Sequence, residues 1–157
     1  MRTRTFVVIA GIGIIAAAGV SVQALVTHAH AHSLAEAAAA SEVPAPDTSV
    51  EVMTKTYLRA AKDHDCALTR LLTTPNTFAW CGAAPHGWFD GDPELQSYRD
   101  VGKPELVTKG VAGHAQECVQ STIMQRWISG ADPGELSWSW CWVHTADGWR
   151  LWDQGQG

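Results

Sequence analysis

Apolar residues recur at helical spacing in the segment that follows Asp47. Its charged residues fall mostly on the other side of the predicted helix. The apolar positions are Val50, Met53, Tyr57, Leu58 and Ala61. Thr48 to Glu51 matches a capping box, in which the Thr and Glu side chains satisfy free backbone N–H groups. Asp65 is suited to cap a second, shorter helix, so the pattern predicts a helix pair at the start of a folded domain.

Beyond Pro104 the pattern changes to that of strands. Four segments carry β-branched or aromatic residues between turn signals: 105–109, 117–128, 136–144 and 149–153. Asp147-Gly148 favours a tight hairpin turn before the last strand. Ahead of the strands, Asp92-Pro93 resembles a helix start, which predicts a short helix through Tyr98. Helices followed by an antiparallel meander predict an α+β domain.

The N-terminal 26 residues contain the longest apolar run of the chain. Phe6 to Val26 covers 21 residues, close to the ~20 that a helix needs to cross the ~30 Å of a bilayer core. A cleaved signal peptide is the alternative, because the small residues at 22–24 and 29–31 suit cleavage. In both cases the basic N-terminus stays in the cytoplasm and the remainder is exported.

Three parts are therefore expected. Residues 1–26 form a transmembrane anchor or signal peptide, 27–46 a flexible Ala- and Pro-rich tether, and 47–157 an extracytoplasmic domain. Residues 6–26 would contact the membrane. The predicted location is the cell membrane, with a single pass and a cytoplasmic N-terminus, or the exterior if the signal is cleaved.

The net charge of the chain limits the classes of partner that it is expected to bind. The chain has 11 Lys and Arg against 16 Asp and Glu, and two of the arginines precede the apolar run. The exported body is therefore acidic and lacks a basic cluster, which argues against nucleic-acid binding. No cofactor is expected.

Four cysteines occur in the predicted exported domain. Outside the cytosol, an even number of cysteines in a small domain indicates disulfides. We favour the pairs Cys66–Cys81 and Cys118–Cys141, since each closes a short segment between consecutive elements. The cysteines lack C-x-x-C spacing, so a metal site is not expected.

Eight tryptophans lie between Trp80 and Trp152. Strand alternation places Trp138, Trp140 and Trp142 on one face and Cys141 on the other. Two interpretations stay open for these rings: the wall of a core or pocket against the first helix, or an exposed platform for a ligand, protein or glycan. Tyr57 and Trp80 are further pocket candidates, and Trp80 opens a loop that either plugs the fold or binds a ligand.

Two segments resemble a known superfamily. VMTKTYLRAAKDHDCALTRLL, residues 52–72, resembles the opening helix pair of the nuclear transport factor two-like superfamily, and DGWRLWD, residues 147–153, is similar to its closing strand. The resemblance covers about residues 49–154. It implies a cone, in which a helix pair packs on a curved antiparallel sheet around a pocket. Members use that pocket for catalysis, ligand binding or dimerisation.

The resemblance does not supply a catalytic residue. Isomerase and cyclase members place an acid or histidine in the pocket with oxyanion donors. None of the polar candidates in this chain lies in a motif that matches a catalytic motif of the superfamily. The candidates are Tyr57, His64, Asp65, Tyr98, Asp100 and His114. We expect a membrane-anchored module that binds a small apolar ligand or a protein partner, with homodimerisation also implied. An isomerase- or cyclase-like enzyme and a glycan-binding module are the alternatives.

Overall fold

The computed structural model describes residues 31–80, 93–110, 113–127 and 134–156. Contacts divide the chain into two compact units, Met1–Ala35 and Glu36–Gly157. Of the first unit, residues 31–35 are described and are helical. The predicted anchor at 1–26 lies outside the described residues, and within them no helix is long and apolar enough to cross a membrane.

The second unit is an α+β domain whose helices pack on an open antiparallel sheet. Its described helices are α1, of which residues 36–42 fall in this unit, α2 at Val50–Lys62 and α3 at Cys66–Leu71. Ser49 rather than Thr48 caps α2, since the Ser49 hydroxyl accepts the backbone N–H of Val52. Thr48 lies in the preceding turn, where its N–H donates to the Ala45 carbonyl. Asp65 caps α3 as predicted, accepting from the backbone N–H of Leu68 at 3.0 Å.

Helix α1 lies within the segment 27–46 that the sequence predicts as a tether. Ala39 is only 3% exposed and belongs to the core, and Val43 packs against it. Glu42 pairs with Arg59 of α2 at 2.9 Å. Alanine has the highest helix propensity, and its small side chain can pack closely without a large apolar face. Residues 36–46 therefore belong to the same compact unit as residues 47–157.

Five strands form the sheet in the described chain. They are β1 at Glu94–Arg99, β2 at Glu105–Val107, β3 at Gln116–Arg126, β4 at Glu135–Thr145 and β5 at Gly148–Gln156. The order is β1-β3-β4-β5, and β2 pairs with the first half of β3. Gly148 has a φ of 96° in the predicted turn, and a Cβ there would lie 2.9 Å from the Pro46 Cα. Glycine is required at this position for both reasons.

Strand β1 stands where the sequence predicts a short helix. Leu95, 2% exposed, and Tyr98 both contribute to the core, and they pair with Gln125 and Ile123 of β3. Glu94 pairs with Arg126 at 2.5 Å across the same two strands. Cross-strand pairing and burial outweigh the local helix-start signal, as they often do for short elements.

The segment that follows α3 runs beside β5. The Leu151 N–H donates to the Leu72 carbonyl at 2.8 Å, and the Thr74 N–H donates to the Leu151 carbonyl at 3.0 Å. The Thr77 hydroxyl donates to the Trp152 carbonyl at 2.7 Å. These bonds occupy backbone groups on the outer edge of β5.

One of the two predicted disulfides lies within the described residues and is confirmed. Cys118 and Cys141 stand directly opposite each other in the β3–β4 register and are bonded, with Cα atoms 4.0 Å apart. They point away from the face that carries Trp140. Cys66 is also disulfide-bonded, but its predicted partner, Cys81, lies outside the described residues.

Candidate functional site

The five predicted pocket or platform residues come together as one buried group, here called the aromatic cluster. Its members are 0–1% exposed, and they are Tyr57, Trp80, Trp138, Trp140 and Trp142. Trp80 lies 5.7 Å from Trp138 and 5.9 Å from Trp140 between ring centroids. Tyr57 of α2 lies 5.6 Å from Trp140. These rings are packed core, so they do not form an exposed platform.

Protein groups accept the indole N–H of three tryptophans in the cluster. Trp140 donates to the Ser121 hydroxyl at 2.8 Å, and Trp142 donates to the Thr54 hydroxyl at 2.9 Å. Trp80 donates to the Pro93 carbonyl at 2.5 Å. Buried indoles require such partners. The polar atoms of these rings are therefore engaged in holding the helix, the sheet and the 72–80 segment together.

Tyr57 also has a structural role. Its hydroxyl accepts the backbone N–H of Trp80 at 2.6 Å inside the domain. Burial raises the pKa of Tyr57 well above its ordinary value, and the hydrogen bonds from Trp80 and Gln154 oppose this shift only in part. The phenol therefore stays neutral and is not available as a base.

Replacing Tyr57 by Phe should lower the free energy of unfolding by about 1–3 kcal/mol, because the Trp80 N–H would stay buried without its acceptor. Urea denaturation of residues 36–157, followed by circular dichroism, measures the change. Tyr98→Phe is the matched control, since no described residue bonds the Tyr98 hydroxyl, and it should change stability by less than about 0.5 kcal/mol. Equal effects of the two variants would contradict the role assigned to the Tyr57 hydroxyl.

The other polar candidates are not gathered in the interior. Asp65 caps α3, and Asp100 is exposed beside Arg99. His64 lies between α2 and α3 with Nε2 3.1 Å from Glu94 Oε1, and the His114 ring contacts Trp152 at 5.4 Å. Apart from Tyr57, the buried polar side chains of the described chain are uncharged: Thr54, Thr69, Thr74, Gln116, Ser121 and Gln125. Nor is any group of three His, Cys, Asp or Glu among the described residues placed to hold a metal ion.

A cavity of about 300 Å³ lies on the surface where β2, β3, β4 and β5 meet. We call it the sheet-end groove, and its lining includes Leu106, His114, Glu117, Val143, His144 and Trp149. Leu106 is 67% exposed, whereas Glu117 and Trp149 are half-buried. The groove thus combines exposed apolar surface with a carboxylate and two imidazoles.

Strand register explains how these side chains meet. Leu106 opposes Glu117, Glu117 opposes Trp142, and His144 opposes Trp149. Directly opposed residues share one face of a sheet. The row in the groove therefore continues the face that carries the aromatic cluster. The His144 and Trp149 rings are in edge contact, with centroids 4.9 Å apart.

A second cavity, of about 320 Å³, lies after α3 and is lined by Arg70, Thr74, Thr77 and Phe78 among others. Phe78 is 72% exposed. The hydroxyls of this cavity are used internally, since Thr74 and Thr77 bond each other at 2.7 Å and Thr77 also bonds the Trp152 carbonyl. They are less available to a ligand than the side chains of the sheet-end groove.

Sequence reasoning did not identify the sheet-end groove. Most of its residues come from four strands, and the register places these side by side. One feature of the sequence points to this groove: the aromatic rings of His144 and Trp149 flank the turn at Asp147-Gly148.

The fold and its cavities define an α+β domain with a filled aromatic interior and a groove on its surface. Compared with known proteins, the chain matches no family model, no curated protein and no solved structure. The resemblance to the nuclear transport factor two-like superfamily therefore stays a prediction.

Proposed function

We propose that the exported domain is a binding module that holds the apolar part of a small ligand or of a partner protein in the sheet-end groove. Residues 6–26 would keep the module at the membrane. One observation carries the proposal: the interior is occupied by the aromatic cluster, whereas the groove is open and partly apolar. Its volume lies at the lower end of the range for small-molecule sites.

The same proposal includes the cone fold of the nuclear transport factor two-like superfamily. A helix pair followed by an antiparallel meander supports it. In such a cone the usual ligand position would be occupied here by Trp80, which contacts both Trp138 and Trp140. A ligand would consequently bind at the surface.

The two alternative functions receive less support from the described residues. An isomerase or cyclase needs an acid or base beside its substrate, and the described interior holds only neutral groups. A glycan platform needs exposed rings, and Trp138, Trp140 and Trp142 are buried.

The test is ¹⁹F NMR of the full chain in lipid nanodiscs, with all tryptophans labelled as 5-fluorotryptophan. Benzyl alcohol is added at free concentrations fixed by dialysis. We expect the Trp149 resonance to move with a dissociation constant of about 1–10 mM, as suits a ligand of this size. The Trp138, Trp140 and Trp142 resonances should stay in place, because their rings are buried and outside the groove.

Two variants locate the binding site. Leu106→Asp should weaken binding several-fold, because it places a charge on the apolar wall of the groove. Phe78→Asp makes the same kind of change in the other cavity and should leave binding unchanged. Movement of the interior resonances, or weakening by Phe78→Asp alone, would overturn the proposal.

A further inference from the structure

We infer that the sheet-end groove selects small organic amines, with the Glu117 carboxylate as the counter-ion of the ligand's ammonium group. The inference rests on the proposed function and specifies the chemistry of its ligand. It is carried by three features: an unpaired carboxylate, the apolar walls beside it and the charge of the whole exported body.

The first feature is that Glu117 lacks a cationic partner among the described residues. Four other glutamates each form an ion pair with an arginine or a lysine: Glu42, Glu51, Glu94 and Glu135. Glu117 is half-buried, yet no hydrogen bond or ion pair of the described chain satisfies its carboxylate. Partial burial without a partner makes a carboxylate receptive to a cation.

The second feature is the surroundings of this carboxylate. Glu117 stands between Leu106 and Trp142 in the register, and the Trp149 ring lines the same groove. Apolar walls reduce the local dielectric constant, which strengthens the attraction between the carboxylate and a bound ammonium group. The Trp149 indole adds an aromatic face of the kind that attracts cations. The same walls can hold the hydrocarbon part of the ligand.

The third feature is net charge. The whole chain carries −5, and the exported body carries −7 once Arg2 and Arg4 are excluded. A negative field raises the local concentration of cations and disfavours anionic ligands. An ammonium group is also a hydrogen-bond donor, and the His114 and His144 imidazoles at the groove offer acceptor nitrogens when they are neutral.

The test compares three probes of one shape: benzylammonium, benzyl alcohol and benzoate. The full chain in lipid nanodiscs carries 5-fluorotryptophan, and the Trp149 resonance is followed at pH 7.5. We expect benzylammonium to bind about 5- to 10-fold more tightly than benzyl alcohol, the effect of one partly shielded ion pair. Benzoate should bind more weakly than either.

Glu117→Gln should remove the preference for benzylammonium over benzyl alcohol and leave binding of the alcohol intact. Glu105→Gln is the matched control, because it removes the same charge from an exposed position on β2. It should leave the preference unchanged.

The outcomes separate the inference from the proposed function. Equal binding of the amine and the alcohol would overturn the ammonium inference and leave the groove as an apolar site. The absence of any change at Trp149 with all three probes would overturn both. A Lys-Phe dipeptide that bound much more tightly than benzylammonium would assign the groove to a lysine of a partner protein and overturn the assignment to small amines.

Discussion

Replacement of Trp140 by alanine is expected to lower the free energy of unfolding by about 3–5 kcal/mol, which is the range for a large aromatic side chain removed from a core. Trp140 is fully buried and has Tyr57, Trp80 and Trp138 within 5.6–6.2 Å between ring centroids. The variant also leaves the Ser121 hydroxyl without its donor. Since a domain of this size is stable by about 5–15 kcal/mol, much of that stability would be lost.

Urea denaturation of residues 36–157 measures this loss. Phe78→Ala is the matched control, because it removes an aromatic ring that is 72% exposed. Its effect should stay within about 0.5 kcal/mol. Comparable losses in the two variants would show that the aromatic cluster is not the packed core of the domain.

Removal of the Cys118–Cys141 disulfide is the second large effect. The double variant Cys118→Ala, Cys141→Ala should lose about 3 kcal/mol, because the bond closes a loop between residues 23 apart in sequence and so restricts the unfolded chain. The paired strands keep their hydrogen-bond register, so the folded structure should be retained at low temperature.

Thermal unfolding of residues 36–157 under oxidising conditions measures this effect. The conservative change Ser137→Ala, at an exposed position on the same face of β4, is the control and should leave the midpoint within a few degrees. A double variant as stable as the parent chain would show that the disulfide does not contribute to stability. The bond would then have to be explained by another role.

The elements with a strong periodic signal could be predicted from the sequence. Helix α2 has apolar residues one turn apart, and β4 alternates strictly through its three tryptophans, so both were predicted within a few residues. The turn at Thr145–Gly148 followed from the Asp-Gly pair. Strand β1 could not be predicted, because its assignment depends on pairing with β3, more than 20 residues away. The local signal at Asp92-Pro93 pointed to a helix.

The site was predictable only in part. Alternation correctly put Trp138, Trp140 and Trp142 on one face, but it left open whether that face is covered. The answer depends on contacts from distant segments, such as Thr54 of α2 with Trp142 and Trp80 with Trp138. The sheet-end groove depends on the register of four strands, which composition and spacing do not specify.

The hydrogen bonds between the 72–77 segment and β5 have a consequence for how the chain behaves at high local concentration. An uncovered final strand is a template on which another copy can add its own strand, and repetition of that step leads to aggregation. Here the carbonyls of Leu151 and Trp152 and the N–H of Leu151 already have partners within the chain. Copies of the domain crowded together would therefore meet a last strand that is partly closed to strand addition, which disfavours aggregation by this route.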